Sequence, residues 1–176
     1  MLESLFQTIV KHTYTRSDLL YRMSLLKEFL EFIFFVDQKY IVNQESLSKF
    51  IQQNKKTGKD LEFLTQLPQS NLALFTKDSF YDSLDKMSEE SKQLETLSLV
   101  LAIELPAAAL ERIGTWARRV IAKDILLEIS IDPSITAGCQ IIWKDALHDF
   151  SFAHYIQKNA DKLHSNIILS RVSPAV

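Results

Sequence analysis

The hydrophobic rhythm of the chain changes near residue 96. Before that point apolar residues recur every three to four positions, as on an amphipathic helix. After it, short runs alternate every two positions, as on a half-buried strand. Leu2, Leu5, Phe6 and Ile9 share one helical face. A second helix is expected after Ser17, a residue suited to an N-cap. Leu19, Met23, Leu26, Leu30 and Ile33 form its stripe, and Ser24, Lys27, Glu28 and Glu31 the opposite face. Phe29, Phe32, Phe34 and Phe35 widen the apolar arc, so this helix either sits centrally in a bundle or lends surface to a partner. Shorter helices follow over 44–54 and 59–67, parted at Gly58 and closed by Pro68. Residues 77–95 carry Phe80, Leu84, Met87 and Leu94 but turn polar toward their end, as in a rod joining two packing units.

In the second half, LSLVLAIE (97–104) reads as a buried strand, and Pro106 marks the start of a helix. That helix presents Leu110, Ile113, Ala117, Val120 and Ile121 on one face, with Arg112, Arg118 and Arg119 on a solvated one. ILLEISI (125–131) and CQIIW (139–143) are strands joined through Pro133 and Gly138. A closing helix starts at Ser151 as cap and packs Phe152, Tyr155, Ile156 and Leu163. The first two strands pair in parallel through the helix between them, the third returns antiparallel, and both helices cover one face. The expected fold is α+β and mostly helical. A helical bundle spans 1–76, a connecting helix 77–95, and a small strand-helix-strand-strand-helix unit 96–176.

Composition removes several function classes. With 47% hydrophobic and 24% charged residues and a net charge of −2, the chain has ordinary globular composition and no broad attraction for nucleic acid or acidic lipid. The most apolar window, 19–37, is interrupted by Arg22, Lys27, Glu28 and Glu31, so no membrane insertion is expected. The N-terminus has Glu3 and no small-residue cleavage site, which argues against a signal peptide. Cys139 is the only cysteine, so neither an internal disulfide nor a cysteine-based zinc site can form. Gly58, Gly114 and Gly138 cannot build a phosphate loop, and the four histidines lack ligand spacing. No catalytic, cofactor or metal site is expected.

The most specific signal lies between Leu97 and Lys162. LSLVLAIELP is followed by ALERIGTWARRVIAKDILLEISIDPS, ITAGCQIIW and HDFSFAHYIQKN. In order and spacing this series resembles the C-terminal region of the delta subunit of F-type ATP synthases, the oligomycin-sensitivity-conferring protein of mitochondria. Asp132, Pro133, Ser134, Ile135, Gly138, Asp149 and Ser151 carry the match as a structural motif. Ala137 and Phe150 stand where the family has glycine, and Lys144-Asp145 where it often has Gly-Asp.

The resemblance implies a non-catalytic stator with no cofactor, on the cytoplasmic face of an energy-coupling membrane. In that family the N-terminal bundle binds N-terminal segments of alpha subunits on the catalytic head. The C-terminal part grips the b-subunit stalk helices during proton-driven ATP synthesis. Phe29, Phe32, Phe34 and Phe35 are then candidates for a partner-binding groove. Two other readings remain: an unrelated helical adaptor on the same plan, and an enzyme with a site assembled from Cys139, His148 and Asp149.

Overall fold

A computed structural model describes residues 2–37, 44–73 and 75–160; the Leu2 side chain and Leu163 lie outside this description. The architecture is α+β and mostly helical. Helices α1 (Leu2–Lys11), α2 (Arg16–Glu31), α3 (Gln44–Gln53), α4 (Gly58–Gln66), α5 (Gln69–Leu72) and α6 (Phe80–Lys92) come first. Strand β1 (Thr96–Leu101), helix α7 (Ala107–Val120), strands β2 (Leu126–Ile131), β3 (Cys139–Trp143) and β4 (Ala146–Asp149), and helix α8 (Phe152–Lys158) follow.

The helical unit closes around one core that includes Leu5, Phe6, Ile9, Leu26, Phe29, Phe50, Leu64 and Phe80. α2 begins earlier than Ser17. Thr15 is its N-cap, and its hydroxyl accepts the Asp18 amide at 3.2 Å. Nor does the helix stop at Glu31, because Phe32–Asp37 continues as a π-helical turn. Bonding five residues back widens the turn, so consecutive side chains diverge less than in an α-helix. Phe32, Ile33 and Phe34 are accordingly all buried. Phe29 and Phe32 meet Phe50 of α3 with ring centroids 5.3 and 5.6 Å apart, and Phe34 meets Phe80 of α6 at 5.2 Å. α6 therefore does more than connect. Phe80, Leu84 and Met87 belong to the helical core, and the buried Ser91 hydroxyl is satisfied by the Ser88 carbonyl at 2.7 Å.

The sheet has the order β2-β1-β3-β4. β1 and β2 pair in parallel across the α7 crossover, and β3 returns antiparallel to β1. The fourth strand, β4, pairs antiparallel with β3 where a plain approach to the last helix was expected. Lys144 and Asp145, with φ of 48° and 64°, form a two-residue hairpin that sets Trp143 opposite Ala146. Leu97, Leu99 and Leu101 alternate inward against Ala117, Ile125 and Leu127. Among the described residues α7 is the helix that packs on this face. α8 has no buried residue, and Phe152, Tyr155 and Ile156 are exposed rather than packed. Val120, expected inside, is exposed as well. The two cores meet at the start of β2, where Leu126 enters the helical core and Leu127 the sheet core.

Candidate partner-binding surfaces and the signature corner

The seven signature residues converge on one corner at the end of the sheet. The Asp132 amide donates to the Leu101 carbonyl at 2.9 Å, which ties the ends of β1 and β2. Its carboxylate turns back to accept the Ser134 amide at 2.9 Å, with Pro133 fixing φ between them. Ile135 donates to the Asp132 carbonyl at 3.1 Å and buries its side chain, so the loop is pinned. The same turn recurs at Asp149-Phe150-Ser151, where the Asp149 carboxylate accepts the Ser151 amide at 2.8 Å and the Gln140 amide group at 3.1 Å. The Ser151 hydroxyl then accepts the His154 amide at 3.2 Å and caps α8. Both carboxyls are held below the ordinary aspartate range by these bonds, Asp132 by Ser134 and Asp149 by Ser151.

Gly138 joins the two turns. Its φ is +94°, and a Cβ there would lie 2.3 Å from the Phe150 carbonyl oxygen. The close approach lets Phe150 donate to the Cys139 carbonyl and Phe152 to the Ala137 carbonyl, each at 2.9 Å. Ala137 and Phe150 do not adopt positive φ, so neither position requires glycine.

The four phenylalanines separate. Phe29, Phe32 and Phe34 are buried by their own fold, which explains their breadth as core rather than partner surface. Phe35 is 45% exposed under Lys77, and it and the exposed Tyr81 both meet the Phe80 ring, with the exposed Val36 next in the chain. Tyr81 donates to Glu31 at 2.9 Å, and that bond holds its phenol above the usual value. A second apolar surface lies on the sheet unit. Trp116 and Ile121 of the α7 region, Ile141 and Trp143 of β3, His148 of β4 and Phe150 line a recess of about 200 Å³. Leu147, Phe152, Tyr155 and Ile156 are exposed in the same segment of chain.

A larger recess of about 520 Å³ between the helical unit and α7 mixes apolar residues with charges of both signs, and Arg22 there is already paired to Asp18. Deeper in the bundle, Asp60 would be raised by burial. The Thr57 amide and hydroxyl and the Tyr21 hydroxyl outweigh that and lower it. This network serves as the capping box of α4.

Cys139, His148 and Asp149 do not converge as a catalytic group. Gln140 pairs with Asp149 and Ile141 with His148, so strand alternation puts Asp149 and His148 on opposite faces. The Asp149 carboxylate is also committed to Ser151 and Gln140. Among the described residues no group of three or more His, Cys, Asp or Glu could hold a metal ion, and no helix is long and apolar enough to cross a membrane.

Arg118 departs from the sequence reading. Arg119 is exposed, but the Arg118 guanidinium donates to the carbonyls of Val10 at 2.8 Å, Lys11 at 3.0 Å and Thr13, and its Nε donates to Ile125 at 3.4 Å. Three of these acceptors lie more than a hundred residues away, so no local pattern could have announced them.

No curated protein matches the chain. Residues 36–163 match the model of a protein family, the ATP synthase delta (OSCP) subunit. That range holds α3 through α8 and the whole signature corner. α1, α2 and most of the π-helical turn lie outside it, yet they share the helical core. The family is a non-catalytic, structural subunit of the ATP synthase peripheral stalk, associated with the membrane through the complex. With the match covering most of its length, the chain belongs to the ATP synthase delta (OSCP) subunit family.

Proposed function

We propose that the chain is a stator link between the catalytic head and the membrane-anchored stalk during proton-driven ATP synthesis. Its helical unit engages N-terminal segments of alpha subunits, and its sheet unit engages b-subunit helices, on the cytoplasmic side of the membrane. The carrying observation is the recess between Trp116 and Phe150, an apolar surface next to a helix with no buried residue. Apolar recesses of this kind suit the hydrophobic stripe of a partner helix. The separate apolar group of Phe35, Val36 and Tyr81 supplies a face for the head. The division into 1–76, 77–95 and 96–176 belongs to the same proposal, with the buried stripe of α6 serving the helical unit.

Affinity purification of the tagged full-length chain from native membranes tests the link. Wild type is expected to bring down alpha and b subunits together. Phe35→Asp is expected to lose alpha and keep b, and Trp116→Asp the reverse. Recovery of neither subunit with wild type removes the proposal in favour of an adaptor for another complex.

A further inference from the structure

We infer that Arg118 and Gly114 of α7, with the α1–α2 loop, form a fixed joint holding the helical and sheet units at one angle. The argument starts from the chain path. α6 ends at Lys92 and β1 starts at Thr96, so one short covalent link joins the units there. A single link permits swivelling. A second attachment remote from it in sequence removes that freedom, and the loop of residues 12–15 supplies it.

Three independent contacts grip that loop. First, α1 ends at Lys11, and the last carbonyls of a helix lack intrahelical partners and carry partial negative charge. The Arg118 guanidinium covers them, reaching Val10, Lys11 and Thr13 together while the Tyr14 ring lies 5.1 Å away. Second, the Tyr14 ring packs on α7 where Gly114 removes the side chain. A Cβ there would lie 2.6 Å from Tyr14 Cδ1. Glycine is a poor choice inside a helix, and Gly114 has no positive φ to justify it. The close approach of Tyr14 does. Third, the Leu127 amide donates to the Tyr14 carbonyl at 2.8 Å, Thr15 bridges to Leu127 in parallel, and Leu126 anchors β2 in the helical core.

Charge-assisted bonds, steric fit and a backbone bridge thus act on one short loop. The joint does not depend on which macromolecules occupy the two faces, so it stands or falls separately from the stator proposal.

Double electron–electron resonance on the full-length chain reads the angle directly. In a Cys139→Ser background, spin labels are placed at Gln53→Cys on α3 and Ser130→Cys on β2, both exposed positions. The unaltered joint is expected to give one narrow distance distribution. Arg118→Gln is expected to broaden it, and to speed exchange of the Leu127 amide roughly tenfold or more, because hydrogen bonds to a charged group are strong. Arg118→Lys keeps the charge without the fork and falls between. Gly114→Val pushes Tyr14 away with the guanidinium intact and is expected to broaden the distances too. Should Arg118→Gln fail to fold, Gly114→Val alone decides. A broad distribution in the unaltered joint overturns the inference, as do narrow distances and unchanged Leu127 exchange in Gly114→Val.

Discussion

Phe50 in the helical unit and Phe150 in the sheet unit carry the same side chain in opposite surroundings. Phe50 is 1% exposed and lies between the rings of Phe29 and Phe32. Phe150 is 62% exposed at the rim of the apolar recess. The helical unit buries most of its large side chains in one core, which Leu126 of β2 joins. The sheet unit buries one face of β1 and β2 under α7 and leaves much of its apolar surface to solvent. Burial stabilises in proportion to the apolar area removed from water, so the helical unit draws its stability from side-chain volume. The sheet unit has less volume to draw on and relies more on backbone geometry at its corner.

The largest expected effect contrasts the two phenylalanines. Phe50→Ala leaves a cavity amid closely packed rings and is expected to cost about 3–5 kcal/mol. Phe150→Ala removes an exposed ring and is expected to stay within about 0.5 kcal/mol in the free chain. Urea denaturation of both variants measures the difference. Equal costs would mean that the sheet unit has a core of its own kind and that the comparison is wrong. In the complex, the order for partner binding reverses under the stator proposal, with Phe150→Ala weakening capture of b subunits while Phe50→Ala spares it in whatever fraction stays folded.

Next comes Gly138→Ala. Alanine at φ +94° is strained, and its Cβ would collide with the Phe150 carbonyl rather than with a yielding side chain. A cost of about 2–3 kcal/mol is expected, from a single methyl group on an exposed residue. Gly58→Ala is the control, since a Cβ there meets nothing within 4 Å. If both substitutions are equally mild, the corner is not the keystone of the sheet unit. Amide exchange at Phe150 and Phe152, whose bonds flank Gly138, locates the damage.

These contrasts also explain what was legible beforehand. The helical stripes were visible because burial repeats with the helical period, and the corner was visible because Asp-Pro-Ser, Gly and Asp-x-Ser each carry a local turn preference. The phenylalanines were ambiguous because breadth of an apolar arc does not distinguish a core from a binding face. Only the π-helical turn, which brings Phe32, Ile33 and Phe34 inward together, decided it. β4 escaped notice because four residues, two of them polar, scarcely alternate, and because its hairpin uses Lys144-Asp145 instead of a glycine turn. Arg118 was invisible for a different reason. Its partners lie on α1 and in the loop beyond, and sequence periodicity reports a residue's own element, not what folds against it.

A smaller effect belongs to the second Asp-x-Ser turn. Ser151→Ala removes the cap of α8 and is expected to cost about 1 kcal/mol. The Asp149 carboxyl that receives the Ser151 amide is depressed in the folded chain. Its contribution is therefore fully present above the ordinary aspartate value, near pH 4, and is lost as pH falls through the lowered folded value. The Ser151 amide should lose protection in acid while amides of the helical core keep theirs. Asp149→Asn retains an acceptor oxygen but cannot titrate there, so acid sensitivity at Ser151 should disappear. Persistence of that sensitivity in the variant would assign it to another group.

The smallest effect tests Ala137, where the resemblance in the sequence leads one to expect glycine. Ala137→Gly supplies the expected residue, which on that expectation suggests a gain. The geometry argues the reverse. Ala137 does not occupy positive φ, and its carbonyl already accepts the Phe152 amide at 2.9 Å. Glycine would relieve no strain in the folded chain, while it would add conformational freedom to the unfolded one. A loss of about 0.4–1 kcal/mol is expected. Denaturation of Ala137→Gly beside Gly138→Ala makes the comparison within two adjacent residues. The same two residue types are exchanged in opposite directions, and both exchanges should destabilise, Gly138→Ala through folded-state strain and Ala137→Gly through unfolded-state entropy. A gain in stability for Ala137→Gly would show that alanine holds the corner under strain, and the backbone account of the sheet unit would have to begin from that strain instead.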